Sequence, residues 1–236
     1  MEQVSLKSEY VTIIKEGEPV KSCGGNQNWF RQTRFEYAAN QGCGMIAALD
    51  VSSYLKGQKE MDFADYERCA AEFLKRHPFT KLFLHEFKHN NKSVFAIGIL
   101  PNQICRYLNK KAKTSGVKTR FKWNGIHGHK DMYEKMKTML SSDQPVVWSI
   151  YNKTGKLNLY KYNEPKRKYE VVSSTNNHFV TAIGIREQEE NGKVLRMVEI
   201  SSWGKRYFVN YDEYLNFVGN SKINKYCSNI VIGKRL

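Results

Sequence analysis

A chain of 236 residues, 41% of them hydrophobic, can bury a core without covalent staples. Its five cysteines, at 23, 43, 69, 105 and 227, are odd in number and include no Cys-x-x-Cys pair, which excludes a disulfide-built fold and predicts reduced thiols in a cytoplasmic setting. The formal net charge of +15 attracts anionic partners whatever the fold, while the lack of a secretory-type N-terminus and of a long apolar run predicts a soluble protein without a membrane span.

From the N-terminus, VTII at 11–14 reads as a short strand or an extended arm. GGNQNWF at 24–30 reads as a loop: two glycines permit unusual backbone angles, and Trp29 and Phe30 supply anchors that would hold Gln27 still. A second amide, Gln41, stands just before the next element. Between Met45 and Val51 nearly every position is apolar, so the segment from Cys43 to Gly57 is predicted to be a helix with no wet face, running through the core. Cys43 falls at its N-terminus, where unpaired backbone N–H groups and the positive end of the helix dipole favour a thiolate. A cysteine that opens a core helix is often purely structural. Catalysis also needs a histidine, an orienting group and an oxyanion donor elsewhere in the chain.

DFADYERCAAEFLKRH at 62–77 has apolar residues at helical spacing and ends before Pro78. LFLHEFKHNNKS contains His85-Glu86-x-x-His89, a pattern that holds zinc in peptidases when it lies within one helix, but no Gly-x-x-His continuation follows it. His127 and His129, around Gly128, offer further ligands or an ordinary turn. Helices are predicted at 99–116, between a proline start and a glycine stop, and at 131–143. Lys110 to Lys122 and Lys161 to Lys168 are basic stretches with interleaved aromatic residues, suited to a polyanion or to a solvated face.

Beyond residue 144 the pattern changes to strands, PVVWSIYN, KLNLYKY, YEVVS, HFVTAIGI, VLRMVEIS and RYFVN, then a short helix DEYLNF and a last strand CSNIVIG. Helices first and antiparallel strands afterwards predict an α+β fold in one domain over 1–236, mainly helical in 1–143 and mainly β in 144–236. His178 opens one of the strands. The next strand ends in Ser201, Ser202 and Trp203, and antiparallel pairing would bring one of the serines to the imidazole and the indole over it.

Taken in this order, GGNQNWF, GCGMIAALDVSSYL, NHFVTAIGI and VEISSWGKRYFVNYDEY resemble segments of the papain-like cysteine peptidases, and within them the bacteriocin-leader-processing (double-glycine) peptidases. GILPNQICRYLN resembles the helix between the two halves of that family. The resemblance implies the papain-like fold, with Cys43 as nucleophile, His178 as general base, and Gln27 as oxyanion donor beside the Cys43 N–H, Gln41 being the fallback. Ser201 falls where the family carries asparagine or aspartate, and a hydroxyl cannot hold an imidazolium as a carboxylate does.

Three readings follow. The first is a cysteine peptidase or amide hydrolase acting on a peptide or protein substrate. The second is a papain-like binding or scaffolding protein with a degenerate site, suited by its charge to an acidic partner. The third is a zinc peptidase built on His85, Glu86 and His89. No residue pattern indicates a cofactor, and oligomeric state is not legible in the sequence.

Overall fold

The computed structural model describes residues 2–18, 21–77, 87–89, 92–95, 98–125, 129–190 and 192–236. The expected core helix forms over Cys43–Leu55 (α2), directly after a single turn at Ala38–Gln41 (α1). Every residue from Gly44 to Tyr54 is buried, as a helix with no wet face requires, and Gly57 turns the chain at a φ of 74°. The amphipathic helices Phe63–Arg76 (α3) and Pro101–Thr114 (α4) pack against α2. Met132–Ser141 (α5) is the fourth predicted helix.

The strands of the second half form a sheet of seven: Val146–Ile150 (β7), Leu157–Asn163 (β8), Lys168–Thr175 (β9), His178–Glu190 (β10), Lys193–Ser202 (β11), Lys205–Asn210 (β12) and an N-terminal strand, Gln3–Ser5 (β1). The order is β1-β10-β11-β12-β8-β9, and β7 pairs with the first part of β10 on the side where β1 pairs with its later part. A bulge at Ile183 breaks the alternation of β10, so Val180, Ala182 and Ile185 all enter one apolar cluster while Ile183 enters the other. One cluster gathers α2, α3 and α4 on one face of the sheet; the other gathers α5 and a helix at Tyr211–Val218 (α6) on the opposite face. The architecture is α+β, with the sheet between two helical layers.

The remaining strands pair in ways that no local pattern in the sequence shows. VTII contributes Thr12–Ile14 (β2), parallel to Glu60–Asp62 (β3). The basic stretch after α4 holds Thr119–Trp123 (β6), which pairs with the last strand, Val231–Arg235 (β13). The end of the chain therefore returns to the helical half, and β1 enters the β half. Cys227, expected in the last strand, ends a short helix over Lys222–Cys227 (α7).

His85 and Glu86 lie outside the described residues. Phe87–His89 is a strand (β4) paired with Lys92–Phe95 (β5), whereas the zinc pattern requires His89 to be one helical turn from His85. His127 is also outside the described residues. His129 is buried, with Nε2 3.3 Å from the Tyr214 hydroxyl. Among the described residues, no three His, Cys, Asp or Glu side chains gather as a metal site would need.

Candidate active site

α2 places Cys43 at its first turn, one side still open to solvent. The backbone N–H groups of Phe179, Gly44 and Cys43 itself point at the sulfur and favour a thiolate. Burial acts against them and is the larger effect, so the thiol titrates above its ordinary value. Phe179 directly follows His178, so the helix tip that carries Cys43 meets the mouth of β10.

His178 is the first residue of β10, reached through Asn177 in the left-handed region at a φ of 49°. Its Nε2 lies 2.8 Å from Ser202 Oγ, so Nδ1 is the ring nitrogen that this bond does not engage. Trp203 stacks on the ring, with centroids 4.4 Å apart and planes 16° from parallel. Trp203 and Gly204 form the two-residue turn between β11 and β12, both at positive φ, and this turn aims the indole back over the imidazole. His178 is 8% exposed and meets no charged partner among the described residues, and burial lowers its pKa to about 4. At neutral pH Cys43 is therefore a thiol and His178 a neutral imidazole, lining one cavity.

Ser201, the serine expected at the ring, is turned away from it. It pairs with Thr181 across the ladder, and its hydroxyl donates to the Cys23 carbonyl at 2.7 Å. Alternation along a strand decides which serine does what: the residue opposite Thr181 shares the face of Thr181, and its neighbour Ser202 shares the face of Val180 and His178.

Gln27 begins a 3-10 turn over Gln27–Gln32, whose Asn26 cap accepts from Asn28 N–H at 3.0 Å. Its Nε2 donates to the Asn40 carbonyl at 3.3 Å, and a carboxamide has a second N–H to offer. Gln27 lines the same cavity as Cys43 and His178, whereas Gln41, the fallback, has its amide oxygen beside Gly98. The cavity holds about 10 Å³, room for no more than one water. Trp203 stands between this cavity and a wider groove of about 900 Å³ that runs past Trp29, Glu199 and Arg206.

Asp50, a residue outside the expected set, also lines the cavity. It is 1% exposed on α2, and burial raises its pKa to about 7 against the favourable bonds from Tyr66 and Gly25. The signal was present: an ionisable residue inside a run too apolar for any surface helix must be buried, and a buried carboxyl needs partners.

Compared with family models, curated proteins and solved structures, the chain matches none. No helix among the described residues is long and apolar enough to cross a membrane.

Proposed function

We propose that the chain is a papain-like cysteine peptidase or amide hydrolase in which Cys43 is the nucleophile, His178 the general base, and Gln27 with the Cys43 N–H the oxyanion donors. The observation that carries this reading is the convergence, on one small cavity, of a thiol at a helix N-terminus, a histidine held by a hydroxyl under an indole, and a free carboxamide hydrogen. The four segments that resemble the leader-processing peptidases contribute all of these residues, which makes a peptide or protein the substrate class.

The mechanism starts from the neutral pair. As the substrate carbonyl reaches Cys43, the thiol proton passes to His178 and the sulfur attacks the carbonyl carbon. The oxyanion takes its hydrogen bonds from Gln27 and the helix tip. His178 then returns the proton to the leaving amine, and water releases the acyl group. Ser202 keeps the ring oriented, while Trp203 keeps water from that bond. The test is digestion of a peptide library read by mass spectrometry. Wild-type protein should cut, and folded Cys43→Ala and His178→Ala should not. Equal cleavage by wild type and Cys43→Ala would sink the reading.

A second reading has one observation in its favour. A cavity of about 10 Å³ admits no peptide as it stands, and a neutral pair oriented by a serine is what a degenerate site that only binds would show. Under that reading, Cys43→Ala leaves binding of the partner intact.

A further inference from the structure

The cavity under Cys43 contains an ionisable group to which the acyl-transfer scheme gives no task. Asp50 lies two helical turns beyond Cys43, on the same face of α2. Its Oδ1 and Oδ2 accept the Gly25 N–H at 3.2 and 3.0 Å, and Oδ1 also accepts the Tyr66 hydroxyl at 2.7 Å. Gly25 stands two residues before Gln27.

The fit around this contact leaves no slack. A Cβ on Gly25 would overlap the Tyr66 hydroxyl, and one on Gly24, which sits at a φ of 73°, would overlap the Asp50 carboxylate and the Ser201 hydroxyl. The β11–β12 turn grips the same loop from the other side: Cys23 N–H donates to Gly204 O at 2.9 Å, and Gly204 N–H donates to Gly25 O at 3.0 Å. The helix that carries the nucleophile and the loop that carries the oxyanion donor are thus joined through one carboxylate.

We propose that Asp50 is a positioning residue whose ionised carboxylate, through the Gly25 N–H, sets where the Gln27 amide stands relative to the Cys43 sulfur. The inference rests on the acyl-transfer reading and adds a dependence of oxyanion stabilisation on the Asp50 charge. Both groups at the carboxylate are donors, so protonating Asp50 turns an acceptor oxygen towards them as a competing donor and loosens the loop. Burial places that titration at about 7. The other titratable groups facing Asp50 are Tyr66 from α3, Tyr10 from the N-terminal arm and Cys23 from the loop, all pushed up by burial and so neutral there. The charges of Arg206 and Glu199 reach Cys23 from β12 and β11, and Cys43 and His178 share the cavity.

The experiment separates a reaction that forms an oxyanion from one that does not. Acetyl transfer from p-nitrophenyl acetate to Cys43 forms a thioester C–S bond, breaks the ester C–O bond and releases p-nitrophenolate, and passes through a tetrahedral oxyanion. Alkylation by iodoacetamide displaces iodide at a saturated carbon and does not. With the rate of Cys43→Ala subtracted, Asp50→Asn and Asp50→Ala should acetylate about ten- to a hundredfold more slowly than wild type. Their alkylation should stay within about threefold, since the Asp50 charge is not among the influences that shift the Cys43 thiol. The wild-type acetylation rate should rise through pH 7 and Asp50→Asn should lose that limb. Tyr66→Phe removes a bond that favours the carboxylate, so its limb should move to higher pH.

If wild type shows no Cys43-dependent acetylation, the acyl-transfer reading fails and this inference falls with it. If wild type acetylates and Asp50→Asn matches its rate and limb, only the role of Asp50 is overturned. Equal losses in acetylation and alkylation also overturn it, because they mark a merely structural group. Should both Asp50 variants fail to fold, an unmoved limb in Tyr66→Phe does the same.

Discussion

His178 and Asp50, in one cavity, oppose each other in their effect on stability. The His178 pKa is lowered on folding to about 4, so between there and its ordinary value near 6.5 the unfolded chain holds a proton that the folded one lacks, and stability rises with pH. The Asp50 pKa is raised to about 7, so from the ordinary carboxyl range up to that value the folded chain holds the extra proton, and stability falls as pH rises. Across about pH 4.5 to 6 the two slopes cancel, and single variants expose them. Relative to wild type, Asp50→Asn should gain stability with rising pH, by up to roughly 1.4 kcal/mol per pH unit, and His178→Gln should lose it at a similar rate. Urea melts at pH 4.5 and 6.0 measure both; parallel shifts of either variant at the two pH values would refute the corresponding burial effect. The same residues show what a sequence exposes. Cys43, His178 and Gln27 were legible because each sits at a recognisable junction. The burial of Asp50 was legible too, but its partners Gly25 and Tyr66 were not, since no sequence period ties it to them.

At the scale of elements, the β10–β11 ladder assigns separate tasks to two adjacent serines. Ser201→Ala should cost about 1 kcal/mol by stranding the Cys23 carbonyl. Ser202→Ala should change stability less and lower turnover about tenfold, because the imidazole loses the bond that orients it. Chemical denaturation and steady-state rates on the same preparations test the pair, and a larger activity loss in Ser201→Ala would mean that the alternation argument is wrong. The sequence showed that a serine would meet His178 but not which one. Register is a property of two strands, and the bulge at Ile183 shows how one extra residue changes the faces beyond it. Helices were easier: α3 and α4 carry their apolar period within themselves and α2 carries an unbroken apolar run, and all three formed within a few residues of the expected bounds.

Over the whole molecule, the two halves read from the sequence are tied together by strands too short to carry a period. β1 adds to the far side of β10, and β13 returns from the end of the chain to pair with β6 beneath α4. Such pairings are long-range, so no local window reveals them. The β6–β13 ladder is also where the net charge of +15 bears on the fold. Lys234 lies directly opposite Arg120, and Lys122 is the next residue on the same face of β6; all three are exposed. Like charges facing each other across a ladder repel, and opposite charges there attract, by about 0.2–1 kcal/mol per pair. Lys234→Glu converts the repulsion into an attraction to both Arg120 and Lys122, on a strand whose loss would detach the C-terminal end from the helical half. The melting temperature should rise by about 2–4 °C in 20 mM salt. Because the pair is exposed, most of that gain should vanish in 1 M salt, where the screening length is about 3 Å. A gain equal in both buffers would trace the effect to packing instead of charge, and no gain in either would mean that the ladder carries its like charges without strain.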